Sequence, residues 1–142
     1  MLTVDSSVVI NKPVKEVFAF TADSANNVKW QGGLEAVIPD GPQDKVGSKY
    51  TEVRKFMGQD MKSVLQITVF ERDARWAAKV VSGPVPYEVT VRFEAAGTGT
   101  KFTTHVEGEP KGFFKVAEGM LQGQLQKSLD EDGQRLKSLL EK

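Results

Sequence analysis

The sequence predicts an α+β domain in which a curved antiparallel sheet of about seven strands surrounds a long C-terminal helix. A strand-like segment opens the chain and a short helical stretch follows it. Six further segments with the two-residue period of strands come next, and residues 112–140 carry apolar side chains at helical spacing. Short turns join the six segments, so they pair antiparallel, because parallel pairs need long crossovers. A curled sheet with a helix across its open side encloses an apolar cavity.

The composition limits the classes of function. The chain has 142 residues, the size of one domain spanning 1–142, and its 19 basic and 19 acidic residues balance. No net positive field exists to recruit nucleic acid or an anionic membrane. The chain contains no cysteine, which excludes disulfides and thiol chemistry. It shows no secretory signal and no apolar run of ~20 residues, so we expect a cytoplasmic protein without membrane insertion.

The first strand is predicted over 2–10 and two short helices follow it. Pro13 fits the first turn of a helix, where a missing N–H costs nothing. Apolar side chains then recur at helical spacing, at Val14, Val17 and Phe18. Asp23 or Ser24 can cap the second helix, which Gly32-Gly33 ends.

Six strands are predicted after these helices, over 34–39, 48–57, 61–71, 75–82, 87–94 and 100–108. The segment 87–94 alternates most regularly. Its apolar members share one face, at Tyr87, Val89, Val91 and Phe93. Gly97-Thr98-Gly99 then predicts a hairpin turn.

The closing helix is predicted from about Gly112 to Leu140, a length of about 45 Å at 1.5 Å per residue. Gly119 and Gly123 lie four residues apart and therefore on one face. They would allow a close approach to the sheet or to a bound molecule. The alternative is a slightly kinked helix that tolerates its glycines.

Tyr50, Glu52, Arg54 and Phe56 alternate on one face of the strand 48–57. If that face is inward, two aromatic residues frame an ion pair inside the cavity, where it could orient a polar ligand group. The plainer arrangement, which is our default, points the charges outward and Val53 and Met57 inward. Alternation alone does not fix which face is buried. As a hypothesis, at least one of the two charges reaches the cavity.

His105 is the only histidine in the chain. Its neighbours Phe102, Thr104 and Val106 share the opposite face of their strand, so a cavity on the apolar side leaves His105 outside. A surface role is favoured over catalysis, because no nucleophile accompanies the histidine. No second histidine or cysteine suggests a metal site, and we expect neither a metal nor a cofactor.

Several short motifs, in this order along the chain, resemble the START-like SRPBCC superfamily. They are Ile10-x-x-Pro13-x-x-x-Val17-Phe18-x-Phe20 with Asp23 and Trp30, Val46-Gly47, Phe56-Met57-Gly58, Ser82-Gly83-Pro84-Val85-Pro86-Tyr87 and Gly99-Thr100-Lys101. The resemblance covers essentially the whole chain and is strongest to the small polyketide cyclase/dehydrase-like proteins. It implies a helix-grip (START/Bet v 1-like) fold with a deep apolar pocket between sheet and helix. It implies no particular reaction, because fold does not determine chemistry.

The predicted ligand is a small hydrophobic molecule such as a lipid, a polyketide or another polycyclic compound. The residues expected to contact it are Trp30, Tyr50, Arg54, Phe56, Trp76, Tyr87, Phe102, Phe113 and Met120. Trp30, beside Gly32-Gly33, is the candidate for the mouth of the pocket. An aromatase/cyclase or dehydratase using the same cavity is the alternative. Its catalytic residues are not assigned, but the candidate suppliers of an acid or base are Tyr50, Glu52, Arg54 and Tyr87. A protein-partner module, such as a homodimer, is the second alternative.

Overall fold

The computed structural model describes the backbone of every residue except Met57, and the side chains of every residue except Phe56, Met57, Phe113 and Phe114. The predicted fold class is confirmed. The elements in chain order are β1 (Leu2–Ile10), α1 (Val14–Ala22), a 3-10 turn (Ser24–Asn26), α2 (Asn27–Trp30), β2 (Leu34–Asp40), β3 (Lys49–Phe56), β4 (Gln59–Glu71), β5 (Arg75–Ser82), β6 (Tyr87–Ala96), β7 (Gly99–Gly108), α3 (Phe113–Val116) and α4 (Glu118–Leu140).

The seven strands form one sheet in the order β1-β7-β6-β5-β4-β3-β2. Every neighbouring pair is antiparallel. The strands β2 to β7 form a meander, and β1 joins it beside β7. The register shifts twice between β4 and β5 and once between β2 and β3. Such shifts bend and twist strands, which helps the sheet to curl.

The C-terminal segment is two helices rather than the single helix that its apolar spacing predicts. Helix α3 ends at Val116, and α4 begins at Glu118 after the non-helical residue Ala117. The apolar spacing continues through this break, so periodicity alone could not have revealed it. None of the described helices is both long and apolar enough to cross a membrane.

The close approach between α4 and the sheet occurs at Gly133. A Cβ atom there would lie 3.4 Å from a methyl group of Val8 in β1. The predicted close approach of the sheet to Gly119 and Gly123 is wrong, because a Cβ atom at either would meet no described atom of the sheet within 4 Å. The helix therefore lies close against β1 at Gly133.

Helix α4 also bonds to the backbone of the edge strand β1. The Gln126 side chain donates to the carbonyl oxygen of Asp5 at 2.9 Å. Further along the strand, Lys137 Nζ donates to the carbonyl oxygen of Val9 at 2.8 Å. These bonds fix the helix along the strand and satisfy backbone groups at that side of the sheet.

An aromatic cluster fills one end of the space between the sheet and the helices. Phe18 of α1 lies edge-on to Phe93, with ring centroids 5.1 Å apart. Phe93 meets Phe102 across the β6–β7 ladder at 5.4 Å. Trp30 of α2 packs edge-on against Phe102 at 5.8 Å. Of these four aromatic residues, Trp30 also lines the cavity described below.

Candidate functional site

A cavity of about 140 Å³ lies between the concave face of the sheet and α4. Its walls are mainly apolar and include Leu65, Val89 and Val106 from the sheet and Leu121, Leu125 and Leu129 from the helix. An engineered apolar cavity of about 150 Å³ is known to admit benzene, so this volume matches one aromatic ring. A larger molecule would have to extend toward the open side.

Both tryptophans of the chain line this cavity, and each is 5% exposed. The indole nitrogen of Trp76 donates to the hydroxyl of Thr21 at 3.4 Å. The indole nitrogen of Trp30 has no hydrogen-bond partner among the described residues. Trp30 was expected at the mouth of the pocket, but its burial against the aromatic cluster makes it part of the inner wall.

A polar cluster projects from β3 and β6 into the same cavity. Tyr50, Glu52 and Arg54, at alternate positions of β3, all line it. The hydroxyl of Tyr87 donates to Glu52 Oε1 at 2.6 Å. Arg54 Nη2 donates to Glu52 Oε2 at 3.3 Å and to Gln31 Oε1 at 2.7 Å. Both Glu52 and Arg54 therefore reach the cavity, as the hypothesis that at least one of them does so requires. The default arrangement, with both charges pointing outward, is wrong.

This burial of charge is possible because the charged groups satisfy one another. The side chain of Glu52 is only 5% exposed and that of Arg54 is 20% exposed. Burial, and then the charge of Glu52, raises the pKa of Tyr87, and the same two causes raise the pKa of Tyr50. Burial alone would lower the pKa of Arg54, but the Glu52 carboxylate beside it raises it overall. At neutral pH the phenols are neutral and Arg54 is charged.

Asp132 of α4 ties the helix to the loop after α2. One of its oxygens accepts a bond from the backbone N–H of Gly32 at 2.8 Å and one from Arg135 Nη1 at 3.0 Å. Arg135 Nη1 also donates to the carbonyl oxygen of Trp30 at 2.7 Å. Burial raises the pKa of Asp132, against the opposing effect of these hydrogen bonds. The only sequence signal for this part of the site was the Asp-x-x-Arg spacing of a helical ion pair, which sequence reasoning missed.

The sequence profile of a family described as polyketide cyclase / dehydrase and lipid transport matches residues 1–141. The chain belongs to this family. None of the curated protein sequences compared with the chain matches it.

Solved structures agree with this assignment at the level of the fold. A protein from Thermus thermophilus superimposes with a TM-score of 0.85 at 16% identity, covering 96% of this chain and 94% of its own. A conserved protein from Geobacillus kaustophilus superimposes with a TM-score of 0.80 at 18% identity, covering 99% of this chain and 95% of its own. A START superfamily protein from Mycobacterium smegmatis superimposes with a TM-score of 0.72 at 13% identity, covering 96% of this chain and 98% of its own. The predicted membership of the polyketide cyclase/dehydrase-like group is confirmed by the family match, and these structures confirm the START-like fold.

The structure brings together five of the nine residues expected at the ligand. They are Trp30, Tyr50, Arg54, Trp76 and Tyr87. Phe102 lies in the aromatic cluster, with the Trp30 indole against its ring. Met120 is 66% exposed, and the next residue, Leu121, takes the inward position. The side chains of Phe56 and Phe113 lie outside the described residues.

His105 lies on the outer face of β7, as the alternation predicts. Its Nδ1 is 2.6 Å from Asp5 Oδ1, directly across the β1–β7 ladder. This hydrogen bond raises the pKa of His105. Within the described part of the chain, no three acidic or histidine side chains converge as metal ligands would. His105 therefore contributes to the outer surface and not to the cavity.

Proposed function

We propose that the chain binds a small, largely apolar molecule in the cavity between the sheet and α4. The observation that supports this most directly is the mainly apolar wall, which includes both tryptophans and encloses a few converging polar groups. Burial of ~200 Å² of ligand surface at ~25 cal/mol per Å² supplies about 5 kcal/mol, which corresponds to millimolar or upper micromolar binding. The remainder of a lipid tail or a polycyclic molecule would extend through the open side.

Tryptophan emission tests the proposal, because both indoles line the cavity. Fatty acids, flavonoids and naphthol-like compounds are titrated into the wild type, Trp30→Phe and Trp76→Phe, and native mass spectrometry checks for a co-purified ligand. We expect saturable quenching whose amplitude changes in both variants. If no compound perturbs either tryptophan and none co-purifies, binding is contradicted and a protein-partner role, such as a homodimer, becomes the better hypothesis.

A matched pair of substitutions separates binding in the cavity from binding elsewhere. Val89 lines the cavity, whereas Val81, on the neighbouring strand β5, is 43% exposed. Val89→Phe fills part of the cavity, and Val81→Phe adds the same ring to the surface. We expect the first to abolish saturable quenching and the second to leave it unchanged. Equal binding by the two variants would place the ligand outside the cavity.

An enzyme of the cyclase or dehydratase kind is the second candidate, and the Glu52–Tyr87 hydrogen bond favours it. A carboxylate and a phenol 2.6 Å apart in an apolar cavity can accept and return a proton. The test is whether the mass or the chromatographic retention of a bound compound changes on incubation with the wild type but not with Glu52→Gln, because dehydration lowers the mass whereas cyclisation without loss of water leaves it the same. If compounds bind and are always recovered unchanged, the protein is a carrier.

A further inference from the structure

Two buried polar atoms of α2 remain without a partner beside the cavity. They are the indole N–H of Trp30, a donor, and Oδ1 of Asn27, an acceptor; neither bonds to any described residue. Both residues line the cavity, and Trp30 is 5% and Asn27 3% exposed. Buried polar atoms without a partner are uncommon in folded proteins. The two atoms themselves are covered by neighbouring atoms, so side-chain shifts must open them to a ligand; a ligand that then supplies the missing partners would gain affinity here.

Asn27 and Trp30 are three residues apart, at the first and last positions of α2. Side chains at this spacing are neighbours on one face of a helix. A ligand group that both donates and accepts has the chemistry that the two atoms together require. A hydroxyl group does this: its oxygen accepts from the Trp30 indole, and its hydrogen is donated to Asn27 Oδ1.

The charges of the cavity are already paired. Glu52 pairs with Arg54 at 3.3 Å, and Asp132 pairs with Arg135 at 3.0 Å. An anionic ligand that approached Arg54 would also meet Glu52 and the field of Asp132. A cationic ligand would meet Arg54 in turn. Either ion would bring an unpaired charge into an apolar space, which is unfavourable.

We infer that the ligand is a neutral molecule with an apolar ring-sized body and a hydroxyl group that bonds to Trp30 and Asn27. This inference rests on the proposed function and specifies the chemistry of the same cavity. It excludes fatty acids and other carboxylates as the preferred ligands. Neutral alcohols and phenols remain.

Four probes of matched size test the inference: benzyl alcohol, toluene, benzoate and benzylammonium at pH 7. Each has one ring and a single-carbon substituent, and they differ in polarity and charge. In ¹⁵N-labelled protein the two indole N–H signals are assigned with Trp30→Phe and Trp76→Phe. We expect benzyl alcohol to move the Trp30 indole proton downfield and the Trp76 indole proton less, because Trp76 already donates to Thr21.

The affinities should follow the same chemistry. We expect benzyl alcohol to bind about threefold to tenfold more tightly than toluene, as for one or two net hydrogen bonds, and more tightly than either ion. Trp30→Phe and Asn27→Ala should each reduce this preference over toluene. Val28→Ala changes an exposed residue of the same helix and should preserve it.

The outcomes separate this inference from the proposed function. If toluene binds as tightly as benzyl alcohol, or either ion binds most tightly, the inference is wrong while binding in the cavity stands. If no probe moves either indole signal, the inference is wrong, and the titration of the larger compounds and the search for a co-purified ligand decide the proposed function. Should the variants fail to fold, the wild type decides. If benzyl alcohol gives the Trp30 indole proton the same chemical shift as toluene does, the inference is contradicted.

Discussion

At the scale of single residues, the site depends on how a carboxylate is kept inside an apolar cavity. Glu52 accepts a hydrogen bond from the Tyr87 hydroxyl at 2.6 Å and one from the Arg54 guanidinium at 3.3 Å. Removing one partner of such a group costs more than the bond contributes, because the remaining polar atom stays buried without a partner. Each partner is therefore a sensitive point for substitution.

Tyr87→Phe tests this cost with little change of shape. We expect the free energy of unfolding to fall by about 1–3 kcal/mol, because Glu52 Oε1 loses its shortest hydrogen bond in a buried place. Denaturant unfolding at pH 7 measures the change. The double variant Glu52→Gln/Tyr87→Phe should lose less free energy of unfolding than the sum of the losses of the two single variants. A loss below about 0.5 kcal/mol for Tyr87→Phe would mean that solvent replaces the phenol.

The pair of His105 and Asp5 on the outer face should make the free energy of unfolding depend on pH. The hydrogen bond to Asp5 raises the pKa of His105 above the ordinary 6.5, so the folded state holds the proton more tightly than the unfolded chain. The stabilisation is complete below that ordinary value and is lost as the pH rises through the raised pKa. Compared with His105→Gln, the wild type should be more stable at pH 5.5, by at most about 1 kcal/mol, since the pair is partly solvated. Melting temperatures of both proteins from pH 5 to 9 measure this, and a constant difference would contradict it.

At the scale of elements, the sequence predicted the strands well and their orientation poorly. The alternation in β3 shows that Tyr50, Glu52 and Arg54 share a face, but alternation is symmetric and cannot say which face is inward. On the inward face, Glu52 finds its partner in Tyr87 of β6, which lies beyond β4 and β5 in the sheet. No pattern within β3 contains that information.

The glycines of α4 give an element-scale prediction. A Cβ at Gly123 would meet no described atom within 4 Å, whereas one at Gly99 would lie 2.5 Å from the carbonyl oxygen of Ile10. Gly123→Ala should therefore raise the free energy of unfolding by about 0.5–1 kcal/mol through helix propensity. Gly99→Ala is the opposite control and should lower it. Thermal unfolding checks both, and destabilisation by Gly123→Ala would show that this glycine makes a contact that matters.

At the scale of the whole molecule, the fold could be predicted from local periods and short turns, whereas part of the site could not. Asp132 reaches Gly32 across 100 residues of sequence. The unpartnered atoms of Asn27 and Trp30 likewise become visible only when the surrounding helix and sheet are in place. Such groups follow no periodic rule, because burial and partnership are properties of the assembled chain.

The cavity leads to a trade-off between stability and binding. Ser128 of α4 lines the cavity, and Ser128→Leu would place apolar volume there while improving helix propensity. We expect the free energy of unfolding to rise by about 1 kcal/mol and the affinity for cavity ligands to fall by about tenfold. Unfolding and titration experiments on one protein sample measure both. Higher stability with unchanged affinity would show that the ligand does not use this part of the cavity.

The bonds from α4 to β1 have a consequence for aggregation. An edge strand whose backbone groups are free can pair with a strand of another chain. At β1, the side chains of Gln126 and Lys137 bond to carbonyl oxygens of Asp5 and Val9. The opposite edge strand, β2, carries Pro39, which cannot donate to a ladder. Detachment of α4 would thus expose a strand edge for intermolecular pairing before the sheet itself unfolds.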